Sequence, residues 1–398
     1  ARMFGVAWVF LVCAMAIGWL LRVYTVAPVG GVKVGNFLHA HSHVAFLGWV
    51  FNAFFALAMR FFVREADGRF FRRLFWAMQV PVLGMLVAYP IQGYARWSIA
   101  ASALHVAAAV IFAVKLWMRA EASGVTRRYL RAALFFMVAS NAGPLALGPL
   151  AAAGLRDSPW YTLAIYFYMH GQYNGWFVFF PLAVVTRRIR GRAGGSDAEN
   201  AWKWLVPGAA LTFALSTLWL DPPAGVRAVA AGGGVLQLVG TIYFFRGIGR
   251  SDGGARTIVG GGLPGLLMAT AAAAYLAKVI LQLAPLIPAL SGVTWQRPVA
   301  IAFLHLVFLG VVIPFVFSVA IEGGWIKLGA RVKLGLVAYF CGAAWTGWLL
   351  GCQAFATVFG LPLHDMPVAE GLAIAAGAMV GGVLLLCPHF GKGQTTSE

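Results

Sequence analysis

Histidine is the side chain whose number and placing in this sequence invite chemistry. Eight occur, and six of them (His39, His41, His43, His105, His170 and His305) fall inside long apolar runs. A polar side chain in hydrocarbon is costly, so it normally faces the interior of a helix bundle and has a partner there. Neutral imidazole is also the commonest protein ligand for transition metals and for haem iron. In Leu38-His39-Ala40-His41-Ser42-His43, helix geometry puts His39 and His43 on one face and His41 on the opposite one. One imidazole then serves one cofactor and the pair another, or one of the pair supports its neighbour, or they hydrogen-bond carbonyls and serines across helices. His170, Tyr173 and Asn174 share a face at i, i+3 and i+4. That polar stripe suits a metal ligand supported by a phenol and an amide, a small-molecule pocket, or a hydrogen-bonded helix seam. His305, in the otherwise apolar Phe303–Gly310, must find its partner on another helix: haem iron, or a plain interhelical bond. His105 reads first as a satisfied buried histidine.

The elements that carry these residues are membrane spans. The chain of 398 residues is 61% hydrophobic and only 11% charged, which excludes a soluble domain. Apolar runs predict an all-α integral membrane protein of twelve transmembrane helices, folded as a single domain over residues 1–398. The runs cover roughly 4–27, 36–62, 72–94, 97–118, 128–150, 159–186, 202–220, 225–248, 262–286, 298–321, 331–357 and 368–388. The first has no small-residue cleavage site after it and reads as a retained helix, not a signal peptide. Basic residues gather in alternate loops, as in Arg64, Arg69, Arg72 and Arg73, then Arg127 and Arg128, then Arg187, Arg188, Arg190 and Arg192. The intervening loops hold few, among them Lys33, Arg96, Arg156, Arg227 and Arg297. The positive-inside rule then puts both termini in the cytoplasm. Topology and anionic lipid headgroups account for the formal charge of +18, and nucleic acid is not an expected partner.

Depth follows from this topology. At 1.5 Å per residue, His39 to His43 lie roughly 5–10 Å from the outer end of their span, and His105 about 12 Å. His170 lies about 16 Å in and His305 about 10 Å in, so all six share the outer half of the bilayer. His364 and His389 fall in the last outer loop and at the cytoplasmic end, as surface residues.

Twelve spans with cytoplasmic termini and histidines in spans two, six and ten resemble the catalytic subunit of haem-copper oxidases and nitric oxide reductases. His305-Leu306-Val307-Phe308-Leu309-Gly310 resembles the second histidine of that family's span-ten His-x-His element. Leu38-His39 resembles its span-two ligand, a role His41 or His43 could also fill, and His170 matches its first copper-site position. The resemblance implies a subunit I-like bundle with a haem b held between span-two and span-ten imidazoles, and copper or a second haem near His170. It also implies electron transfer or redox chemistry on a diatomic ligand, nitric oxide or oxygen. An electron-donor protein or a quinol would supply electrons at the outer side of a bacterial inner membrane. Span seven, however, lacks the adjacent histidine pair of the copper site, and Phe303 stands where the family has its high-spin haem ligand. Deep acidic residues are missing too, so neither a dioxygen reductase nor a carboxylate-relay pump is expected. The profile is similar in kind to NnrS-type haem and copper membrane proteins.

Arg96 and Arg297, at outer helix ends near His105 and His305, would pair with haem propionates or anchor the interface. Lys278, deep in span nine, calls for a partner. The four cysteines are scattered, with no Cys-x-x-Cys-His for covalent haem. The main alternatives are a transporter or metal-handling protein with a histidine-lined path, or a non-catalytic assembly subunit. The two halves carry no internal repeat, a common mark of secondary transporters.

Overall fold

A computed structural model of the chain describes residues 2–362 and 366–386, apart from the side chains of residues 257 and 258. His364, Cys387 and His389 lie outside the described residues. The long helices are α1 (Arg2–Val26), α2 (Val34–Phe61), α3 (Glu65–Gln92), α4 (Arg96–Arg119), α5 (Gly124–Ala152) and α6 (159–186). They continue as α7 (192–220), α8 (Ala224–Gly249), α9 (Gly262–Leu286), α10 (Arg297–Glu322), α11 (Ala330–Phe359) and α12 (Val368–Leu385). No strand occurs among the described residues. Ten of these helices, all but α6 and α7, are long and apolar enough to cross a membrane, so the chain is an α-helical, multi-pass membrane protein.

Both exceptions have a local cause. In α6, Gln172, Tyr173 and Asn174 between glycines dilute the apolar run. α7 begins at Arg192, well before the apolar run near 202, and its last nine residues, Thr212–Leu220, tighten into 3-10 winding. The early start is held by Asp197, which is 3% exposed and accepts from Arg246 Nε and Nη2 at 3.1 and 3.0 Å and Arg250 Nη1 at 3.3 Å. That carboxylate ties the polar opening of α7 to the end of α8.

The described chain forms two compact units. The first comprises Ala1–Glu121, Val316–Gln353 and Pro362–Glu398, and the second Ala122–Phe315 and Ala354–Leu361. In the first unit α1 packs on α2 and α12, and α3 packs on α2 and α4. Phe10 and Ala14 of α1, Ala40 and Val44 of α2, and Val82, Met85 and Tyr89 of α3 form one buried cluster there. Deeper in α2, Asn52 and Gln79 of α3 exchange amide hydrogen bonds of 3.0 and 3.3 Å, which satisfies both side chains away from water. In the second unit α7 and α8 form the tightest pair, α5 packs on α6, and α9 on α10.

Candidate functional site

In three helices the winding widens to a π-helix immediately after a histidine. Val44–Val50 follows His43 in α2, Gly171–Trp176 follows His170 in α6, and Leu306–Val312 follows His305 in α10. Each turn carries the same pattern: a histidine, an aromatic three residues on, and a glycine five residues on. The sets are His43, Phe46 and Gly48; His170, Tyr173 and Gly175; His305, Phe308 and Gly310. Each glycine meets the helix before its own. A Cβ on Gly48 would lie 3.0 Å from Phe10 Cβ, one on Gly175 2.1 Å from Phe136 Cβ, and one on Gly310 2.9 Å from Ala274 Cβ. The pattern thus recurs in every fourth helix with the same packing duty. It was present in the sequence, but a comparison of two halves does not find a unit repeated three times.

The hydrogen bonds of the rings separate the three. His43 Nδ1 lies 2.9 Å from the His39 carbonyl, and His305 Nδ1 lies 2.8 Å from the Ile301 carbonyl, each four residues back. A carbonyl only accepts, so Nδ1 carries the proton and Nε2 the lone pair in both. This is the arrangement by which a ligating histidine is normally oriented. His43 Nε2 in turn lies 3.0 Å from the Tyr89 hydroxyl, which is itself 2.9 Å from Ser102 Oγ. In His170 the ring is reversed: Nε2 lies 2.6 Å from the Ala209 carbonyl and Nδ1 3.2 Å from Asn174 Nδ2.

The remaining imidazoles divide as helix geometry requires. His41 points away from its neighbours, with Nδ1 2.8 Å from the Ala14 carbonyl of α1. Gly18 leaves room for it, since a Cβ there would come within 2.8 Å of the His41 ring. His39 faces the aromatic side: its ring centroid is 4.4 Å from Tyr94, and Tyr94 is 5.1 Å from Tyr89. His105 is 1% exposed, with its ring edge-on to Phe51 at 5.1 Å, and its Nε2 has no hydrogen-bond partner. An unpaired acceptor buried this way is a cost that satisfied core histidines avoid.

Of the supporting residues, Asn174 contacts His170, whereas Tyr173 packs on Phe177 and Phe308 at 5.4 and 5.6 Å. Arg96 is exposed at the start of α4, with its guanidinium 4.6 Å from the Trp97 ring centre, and Arg297 is the exposed first residue of α10. Cations at helix N-termini gain nothing from the helix dipole, so other contacts must account for both. Lys278 has its partners: Nζ donates to Asn174 Oδ1 and, at 3.0 Å, to Gln282 Oε1. Gln282 continues to Gln237, and Gln237 Nε2 to Thr212 Oγ1 at 3.2 Å. Tyr89, Tyr94, Gln237 and Gln282 escaped the sequence reading, because nothing in a single span marks a tyrosine or glutamine as another helix's partner. Among the described residues, no three His, Cys, Asp or Glu side chains gather closely enough to hold a metal ion. No family model matches the chain, and no curated protein does.

Proposed function

We propose that this chain is a twelve-helix membrane haem protein of the bacterial inner membrane, with both ends in the cytoplasm, in which His43 and His305 would hold the haem through Nε2. The observation that carries the reading is the matched pair of Nδ1 bonds to the carbonyl four residues back, at 2.9 and 2.8 Å, at the head of matched wide turns. Such a bond fixes the tautomer, holds the ring and raises the basicity of the ligating nitrogen. The resemblance to haem-copper subunits points to the same two helices. His43 and His305 belong to different units, so their partnership on one iron rests on that resemblance alone. Between the span-two candidates, His43 shares with His305 the bond to the carbonyl four residues back, whereas His41 turns to α1 and donates to the Ala14 carbonyl, and His39 meets Tyr94 edge-on.

A haem held by two imidazoles would supply one-electron transfer, and the reading extends to redox chemistry on a diatomic ligand such as nitric oxide. The residues around His43 act on the ligand, not on the electron. Tyr89 is wholly buried, and its hydroxyl must leave Nε2 before iron can take it. Arg96 and Arg297 are the exposed cations assigned to the propionates. Copper near His170 has weaker support, because both ring nitrogens there are engaged.

The test is the absorption spectrum of purified protein from haem-replete cells, with metal analysis. A Soret band that survives His39→Ala, His41→Ala and His105→Ala but is lost on His43→Ala or His305→Ala is the expected result. Colourless, metal-free protein would sink the reading and favour a transporter or an assembly subunit.

A further inference from the structure

We infer that Asn174 and Lys278 are positioning residues that hold His170 as the Nε2–H tautomer, and so remove the α6 imidazole from the set of ligands. The three wide turns differ at one telling place. The residue before the motif glycine is Leu47 in α2 and Leu309 in α10, but Asn174 in α6. That asparagine is 8% exposed and Lys278 is 2% exposed, so neither answers to water.

The donor inventory fixes every proton in the chain. An ammonium has three donors and no acceptor, so the atom of Asn174 that faces Lys278 Nζ is its carbonyl oxygen. The amide nitrogen must then face His170, where it stands 3.2 Å from Nδ1. An amide NH2 only donates, so Nδ1 must present its lone pair, and the ring proton sits on Nε2. From there it is donated to the Ala209 carbonyl at 2.6 Å. This contact falls just before α7 passes from α to 3-10 winding at Thr212, so the locked ring also ties α6 to that junction. With Nδ1 accepting and Nε2 donating, no lone pair of His170 is left for a metal. His43 and His305 lack the amide and show the opposite tautomer. The residue before the glycine in α6 therefore sets a tautomer opposite to that of His43 and His305. Lys278 acts through the asparagine, by orienting it.

This inference rests on the haem reading only for what His170 is kept from doing, and its test needs no bound cofactor. The full-length protein is labelled with 15N-histidine, and the His170 ring resonances are assigned by their loss in His170→Gln. Nitrogen shifts distinguish a protonated from an unprotonated ring nitrogen. The wild type is expected to show neutral His170 with Nε2 protonated and Nδ1 bare. Asn174→Asp is nearly isosteric and offers only acceptors, so it should protonate both ring nitrogens. Lys278→Met should release the asparagine and leave a mixture of tautomers, whereas Lys278→Arg, still a pure donor, should restore the wild-type pattern. A wild-type His170 protonated at Nδ1, or a pattern that ignores Asn174→Asp, overturns the inference. The wild-type spectrum alone decides the matter if a variant fails to fold. Loss of the Soret assignment with this tautomer intact would sink the haem proposal and leave the lock standing.

Discussion

Tyr89 faces the lone pair on His43 that the proposed haem would need, and the balance between them is open to measurement. The hydroxyl stands 3.0 Å from Nε2 and keeps a second contact with Ser102 Oγ at 2.9 Å. Tyr89→Phe removes the nearer of two hydroxyls at Nε2, leaving that of Tyr94 at 3.4 Å, and Ser102 retains its bond to the Ser98 carbonyl. One neutral hydrogen bond is worth about 1 kcal/mol, so haem transfer from the variant to an acceptor apoprotein should slow by about five-fold. Faster transfer would mean that the phenol supports the ligand. His105 offers a complementary case. Its buried Nε2 is unpaired, so His105→Leu should leave thermal stability close to wild type and the Soret band unchanged. A band lost with His105→Leu would make that nitrogen a ligand. Helix periodicity alone separates His41 from His39 and His43, as the rings are arranged. Which nitrogen each ring presents was not legible, because the carbonyls and amides that fix it come from other turns and other helices.

At the scale of the helix, the wide turns were the least visible feature in the sequence. Apolar runs locate the spans well, but one extra residue in a turn changes neither composition nor hydropathy. Nor does a run of apolar residues mark where α7 begins, since its first turns are polar and depend on Asp197 meeting Arg246 and Arg250. What the sequence does record is the glycine each wide turn needs. A Cβ on Gly175 would lie 2.1 Å from Phe136 Cβ, with no flexible chain end to give way. Gly175→Ala must push α5 from α6 and should cost about 1–3 kcal/mol, the usual range for overpacking. The matched control is Gly347→Ala in α11, where nothing lies within 4 Å of the added carbon. Better helix propensity should make that change neutral or stabilising by up to about 1 kcal/mol. Thermal melts of the two variants in one detergent read the difference. Equal effects would show that the close approach at the wide turn carries no weight.

At the scale of the whole molecule, charge supplies what apolarity leaves open. Ten helices qualify as spans on length and apolar character, and the fate of α6 and α7 decides on which side the basic segment between them lies. If both cross, Arg187, Arg188 and Arg190 emerge on the same side as Arg69 and Arg127, and the basic alternation is unbroken. If neither crosses, this cluster lies with Lys33 and Arg156 on the outer side, which the positive-inside rule disfavours. Single cysteines test the choice in a background without Cys13, Cys341, Cys352 and Cys387. In right-side-out vesicles, a membrane-impermeant maleimide should label Lys33→Cys and Arg156→Cys at once. Arg69→Cys, Arg127→Cys and Arg190→Cys should react only after permeabilisation. Labelling of Arg190→Cys from outside would reduce the spans to ten. It would also take His170 and Asn174 out of the hydrocarbon while α9 keeps Lys278 in it, parting the lysine from its amide. The burial of Lys278 among amides, with no carboxylate bound to it among the described residues, is the arrangement expected of a helix pair that does cross.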